Sequence, residues 1–368
     1  MAGNDAGIEQ AEIALEDHLT EAEDAVEVQV SPFSVSSYGA DYPVETLVSR
    51  IKKGDIYVPE FQRGFVWDIK DASRFIESLV LGLPVPGIFL TKELETGKLL
   101  VVDGQQRLFS LHYFYEGKWP SQAKEFALKS VQPGLEGRTY ATLRPEDRRR
   151  LDDAILHATV FKEDEPSEDE RGIYEVFSRL NTGGKLLAPQ EVRSAIYHSG
   201  RIRQILTDLN TLPSWRQIYG KSDPDLRMRD QELILRFLAL LFDGGNYRKP
   251  MVDFLNRYMG KSKHPDAGAE AAMRKAFEET IGLVSTAVGV TAFRPARALN
   301  AAVFDAVMVG AAERLQRGGV GDRAAFRLAY RELMGNPEFL DACGRGTASL
   351  DRVKKRLDMA RNAFASVL

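Results

Sequence analysis

The chain has 368 residues, 44% hydrophobic and 28% charged, with a formal net charge of −4. That profile suits a globular fold large enough for two domains and excludes disordered, fibrous and membrane-embedded classes. The single cysteine, Cys343, excludes an intrachain disulfide and any cysteine-built zinc site and fits a reducing compartment. The longest apolar run, Phe237 to Phe242, cannot span a bilayer, and acids stand where a secretion signal would carry bases, so a cytoplasmic protein is expected.

Residues 1–30 hold nine acids and no Lys or Arg, leaving 44 acids against 49 bases in the remainder. The expectation is an acidic arm, with a short amphipathic helix over Ile8–Leu19, ahead of a mildly basic body that permits an anionic partner without demanding one. The basic helix "RVKKRLDMAR" near the C-terminus reads as a solvated face before it reads as a nucleic-acid clamp.

From Val44, "VETLVSRIKKGD" has helical spacing and ends near Gly54. "IYVPEFQRGFVW" reads as extended. A helix from the capping acids Asp68 and Asp71 to Leu81 is stopped by Gly82, Pro84 and Pro86. Ile88–Leu90 and Leu99–Val102 read as strands about a turn at Gly97, with a helix following Arg107. Phe126–Leu128 and Ala158–Phe161 read as further strands and Pro145–Ile155 as a helix. "RGIYEVFSRLNTGGKLLAPQEVRSAIY" reads as helix, glycine turn and helix. Beyond residue 201 the period is helical; Leu233, Ile234, Phe237, Leu238 and Leu241 share one face. The expected architecture is an acidic arm (1–30), an α/β (α+β) domain (31–200) and an all-α helical domain (201–368).

Three polar clusters carry the chemistry. In "VVDGQQRLFSL" (101–111), Asp103 to Arg107 stand between an apolar strand and a helix. A helix start attracts anions, Gly104 lets a ligand approach the backbone, Gln105 and Gln106 offer neutral hydrogen bonds, and Arg107 presents a planar fork. Asp103 would repel phosphate unless it holds a metal ion or orients water. The plainer reading makes Asp103 the N-cap and leaves Arg107 in solvent. In "PEFQRGFVW" (59–67), Gln62 and Arg63 point to opposite faces of a strand, either at a site or on an edge strand with Arg63 in water. In "FSRLNTGGKLLAPQE" (177–191), Asn181, Thr182, Gly183 and Gly184 form either an anion-binding nest or a plain helix connection.

In that order and spacing, "VPEFQRGFVW", "ESLVLGLPVPGIFL", "VVDGQQRLFSL" and "FSRLNTGGKLLAPQEVRSAIY" resemble the GmrS-type domain family. This is the N-terminal half of GmrSD modification-dependent restriction enzymes and of SspE-type phage-defence proteins, with a fold related to ParB and sulfiredoxin. The blocks span residues 58–197, and "WRQIYG", "DQELILRFLALL" and "DFLNRYMG" extend the likeness to about residue 260. The resemblance implies a nucleotide site at Asp103, Gly104, Gln105, Gln106 and Arg107, with Gln62 and Arg63 as a ParB-like box and Asn181, Gly183 and Gly184 as a third element. It implies nucleoside-triphosphate hydrolysis in defence against foreign or modified DNA. Asp103 would hold a divalent metal, Mg²⁺ by preference, with Asp103, Gln106 and Arg107 as the catalytic set.

The sequence also departs from that pattern. Family members carry a C-terminal HNH nuclease domain, whereas His18, His112, His157, His198 and His264 stand isolated. His112, on an apolar helix, reads as a satisfied core histidine. No Walker-type loop or Ser-His-Asp nucleophile is present. Three functions stay open: a metal-dependent NTPase, a nucleotide- or DNA-sensing module controlling a partner protein that supplies the effector, and a DNA-nicking ParB-like nuclease.

Overall fold

The computed structural model describes residues 35–58, 65–93, 96–120, 124–163, 171–180 and 187–367. Backbone contacts divide the chain into two units. The first is an α/β unit, Pro32–Ser167 with Gly172–Leu187; the second is a helical unit whose main body is Ala188–Leu368.

The α/β unit opens with β1 (Val35–Pro43), then α1 (Val44–Lys53) and the two-residue β2 (Ile56–Tyr57). Val44, Leu47 and Val48 bury one face of α1, and Gly54, at φ 74°, closes it by donating to the Arg50 and Ile51 carbonyls. In α2 (Ile69–Val80), Asp68 is the N-cap, accepting from Lys70 N and Asp71 N at 2.7 and 2.9 Å. Ala72, Phe75, Ile76, Leu79 and Val80 are its buried stripe.

Next come β3 (Ile88–Lys92), β4 (Leu99–Asp103), α3 (Gln105–Glu116), α4 (Pro145–Asp153), β5 (Ile155–Glu163) and α5 (Arg171–Leu180). Among the described residues the sheet has five strands in the order β1-β5-β3-β4-β2. β1 runs antiparallel to β5 over nine residues, β5 parallel to β3, β3 antiparallel to β4, and β4 parallel to β2. The α/β class expected for this part of the chain is therefore present. Ile88, Leu90, Leu99, Val101, Leu156, Ala158 and Val160 share a core with the apolar residues of α1 to α4.

Four local expectations are corrected. Within the segment expected to be extended, only Ile56–Tyr57 is strand and Phe65–Trp67 has no regular structure; 59–64 lies outside the described residues. Phe126–Leu128 is not a strand of the sheet: Phe126 N donates to Gly117 O beside an isolated Lys118–Glu125 bridge, and Leu128 N donates to Arg138 O. The helix expected after Arg107 starts two residues earlier, at Gln105. β1 went unanticipated. It is an edge strand whose Ser37, Tyr38, Gly39, Asp41 and Pro43 are exposed, so no apolar alternation marks it.

The helical unit comprises α6 (Pro189–Ile196), α7 (Arg201–Asn210), α8 (Pro213–Tyr219), α9 (Arg229–Asp243), α10 (Met251–Lys261), α11 (Ala267–Ala287), α12 (Ala301–Gln316), α13 (Arg323–Gly335), α14 (Pro337–Ala342) and α15 (Leu350–Ala365). The expected all-α character holds. α9 is no half-buried amphipathic helix, however, for every residue from Arg229 to Leu240 is buried.

Its charges are consequently paired inside. Asp305 accepts from Arg236 Nη2 at 2.6 Å and from Arg356 Nη2 at 3.0 Å. Asp230 accepts from Asn210, from Arg216 and from the Asp225 backbone, each at 2.9 Å. Arg193 reaches Glu232, Gln190 and Asn256. The reading of α15 as a solvated basic face holds for Lys354 and Lys355, which are exposed, and is corrected at Arg356. Arg356 is fully buried, while Arg352 pairs with Asp341 at 3.3 Å and Lys355 with Glu338 at 2.8 Å.

Candidate functional site

The knot between β4 and α3 is built by a glycine. Gly104 stands at φ 97°, ψ 11°, a left-handed conformation that L side chains avoid. A Cβ placed there would lie 2.4 Å from Ile88 Cγ2 on the neighbouring strand. The chain thus turns sharply from β4 into α3 while pressed on β3. Gly104 itself is the N-cap, and no side chain caps the helix. This corrects the alternative in which Asp103 caps it.

Asp103 and Arg107 face each other instead. Arg107 Nη2 donates to Asp103 Oδ2 at 2.7 Å, and Arg107 Nη1 donates to the Gly87 carbonyl at 2.5 Å. The Arg107 side chain is 14% exposed and that of Asp103 40%. Arg107 is not solvated; it ties the first turn of α3 to the loop entering β3. The approach at Gly87 is equally tight, since a Cβ there would lie 2.7 Å from the His157 carbonyl oxygen. Sequence reasoning missed Gly87; its only signal was a glycine directly before an apolar strand.

Gln106 turns outward to a different segment. Its Oε1 accepts from the backbone N–H groups of Val66 and Trp67 at 2.9 and 3.2 Å. Phe65 packs on the same helix, its ring centroid 5.3 Å from that of Tyr113 and 6.4 Å from that of Phe109. The described end of the "PEFQRGFVW" block is therefore fixed to the helix that carries the knot. Gln62 and Arg63, and Asn181, Gly183 and Gly184, lie outside the described residues. The structure accordingly brings together Asp103, Gly104, Gln105, Gln106 and Arg107 with Val66, Trp67 and Gly87.

His112, further along α3, is half-buried. Burial lowers its pKa, opposed by Glu116 and aided by Lys52. Its Nδ1 is buried without a hydrogen-bond partner, which corrects the expectation of a satisfied histidine. Among the described residues no group of three or more His, Cys, Asp or Glu could hold a metal ion. Asp103 by itself supplies one carboxylate. That carboxylate is engaged by Arg107.

Fold and knot together define an α/β domain with a tight strand–glycine–helix junction. Residues 44–198 match the family model of the GmrSD restriction endonuclease N-terminal domain, the family whose motifs this part of the chain resembles. A further likeness, 32% identity over 99 residues, is to an uncharacterized protein of Methanocaldococcus jannaschii; it covers 20% of this chain and 17% of that protein. Among the described residues no helix is long and apolar enough to cross a membrane.

Proposed function

We propose that the β4–α3 knot binds a nucleoside triphosphate and hydrolyses it with a divalent metal, in a defence response to foreign or modified DNA. The observation that carries this reading is Gly104. Its left-handed backbone, wedged against Ile88, leaves the start of α3 without a side-chain cap and puts Gln106 and Arg107 on the same first turn. An uncapped helix start with a guanidinium on its first turn is a place for phosphate oxygens.

The Asp103–Arg107 pair removes the objection that a carboxylate would repel the ligand. The acid is neutralised four residues on, and a phosphate can exchange for it at the guanidinium. Asp103 would then be released to hold Mg²⁺, whose contribution on binding is to neutralise charge on the phosphates. Gln106 fixes the Phe65–Trp67 segment, and at most ~11 Å of extended backbone separates Val66 from Arg63. That bound supports Arg63 as a second phosphate-bracing group, with Gln62 beside it. Asn181, Gly183 and Gly184 are proposed as the third element on the strength of the family likeness.

DNA and a second protein supplying the effector are proposed as partners on the strength of the family likeness. A second reading, that the site senses nucleotide or DNA without turnover, is favoured by one observation: Arg107 holds the Asp103 carboxylate in an ion pair. Calorimetry with each triphosphate, followed by phosphate release with and without DNA, tests both readings. Binding with release supports the first, binding without release the second. A ParB-like nicking activity would show as relaxation of supercoiled plasmid.

A further inference from the structure

We infer that Trp67 and Trp119 are the walls of a pocket that stacks a single unpaired nucleobase. The inference deepens the nucleotide reading, on which it rests for where the base comes from. The two indoles, with Val66, Asp68, Ile69, Lys124, Glu125 and Lys129, line a cavity of about 420 Å³. Both indoles pack against the core yet remain partly exposed, so each leaves ring surface that a ligand can cover.

Neither indole carries a stacked ring among the described residues. Trp67 meets Phe75 at 68°, and Trp119 meets Phe65 and Phe126 at 69° and 88°. These near-perpendicular contacts orient the rings without pairing them with each other. A planar aromatic group between two such rings is held by its π-faces, whatever its hydrogen-bonding edge.

Two lysines beside the rings offer donors to the phosphates of a bound nucleotide, although the same lining also carries the carboxylates of Asp68 and Glu125. Lys124 and Lys129 are exposed and have no carboxylate partner among the described residues. Asp68, the nearest acid in sequence to Trp67, is already occupied as the N-cap of α2. The pocket is also joined to the knot. The backbone N–H of Trp67 donates to Gln106 Oε1 at 3.2 Å, and Phe65 links Trp119 to Tyr113 of α3 with centroids 5.0 and 5.3 Å away. These contacts motivate a nucleotide whose phosphates sit at the knot and whose base enters this cavity. A base of a single DNA strand offers the same chemistry.

Intrinsic fluorescence reads this directly. The chain has three tryptophans, and the third, Trp215, is fully buried in the helical unit. The full chain is titrated with each nucleoside triphosphate, with inorganic triphosphate, and with a short single-stranded DNA. Quenching by nucleotide but not by inorganic triphosphate is expected. Trp119→Leu should bind roughly tenfold more weakly and Trp119→Phe should recover part of that loss. Lys124→Glu with Lys129→Glu, both at exposed positions that leave folding intact, should weaken binding while the native melting temperature is kept.

Quenching by DNA alone would keep the pocket and assign its base to a strand, while overturning the nucleotide reading. Nucleotide binding by calorimetry that both Trp119→Leu and the double lysine variant leave unchanged would overturn the pocket and leave that reading standing.

Discussion

Arg107 Nη2 lies 2.7 Å from Asp103 Oδ2 across one turn at the start of α3, and the same guanidinium reaches the Gly87 carbonyl. One side chain thus pairs the acid and pins the loop before β3. Arg107→Ala should lose nucleotide binding at least tenfold and also lower stability, because it leaves a part-buried carbonyl and carboxylate without their donor, a cost of about 1–3 kcal/mol. Arg107→Lys keeps the charge but not the two-pronged reach, so it should recover stability incompletely and binding hardly at all. Thermal melts and calorimetry on both variants check this.

Gly104→Ala should destabilise the α/β unit through two separable causes, the left-handed backbone and the 2.4 Å approach to Ile88 Cγ2. The conformational part amounts to about 1–2 kcal/mol. In an Ile88→Ala background the 2.4 Å contact goes, the milder 3.0 Å approach to the residue 88 Cβ remains, and the conformational cost stays. The double variant should therefore be less destabilised than the sum of the singles, measured by urea unfolding as a mutant cycle.

In the helical unit, Asp305 answers two buried arginines, Arg236 and Arg356. Asp305→Asn removes the carboxylate that both buried guanidinium groups share and should cost about 3–5 kcal/mol. Arg356→Met leaves a one-to-one Asp305–Arg236 pair and also removes a buried Nε that has no partner. It should be much milder, or neutral. Equal losses in the two variants would contradict this charge accounting.

Burial pushes the Cys343 thiol up to about 12, with Asp305 raising it further and Arg356 opposing. The native thiol should therefore resist alkylation at pH 8 and react only on unfolding. The sign for stability follows from the same shift. The buried neutral thiol contributes fully below the unfolded value near 9 and loses its contribution as pH rises towards 12. Relative to a Cys343→Ala variant, the wild-type protein should lose stability between those values and show no such difference below them.

The parts of the fold that could be read from sequence are those with a local cause. The buried stripe of α1 and its Gly54 stop, the Asp68 cap of α2, and the turn at Gly97 each follow from a few neighbouring residues. β1 was hidden because Ser37, Gly39 and Asp41 face outward on an edge strand. Arg236, Asp305 and Arg356 were hidden for the opposite reason: a buried charge has the same letter as a solvated one, and only the tertiary partner distinguishes them. The site itself was half legible. Asp103 and Arg107 have the i, i+4 spacing of a helical ion pair, but starting the helix after Arg107 conceals that they share a turn. The role of Gln106 toward Val66 and Trp67 spans some forty residues of chain and leaves no local trace.

The central claim, that the knot binds a triphosphate through Arg107 and turns it over through Asp103, is tested most directly by phosphate release from wild-type, Asp103→Ala and Arg107→Ala proteins. Nucleotide affinity is measured on the same samples, with Mg²⁺ present. The account predicts release by the wild type. Asp103→Ala should release none, yet bind nucleotide as tightly or more tightly, because the freed guanidinium loses its competing carboxylate. Arg107→Ala should lose binding. Equal loss of binding in both variants would show the pair to be only a structural strut, and a wild-type protein that binds no triphosphate at all would contradict the claim outright.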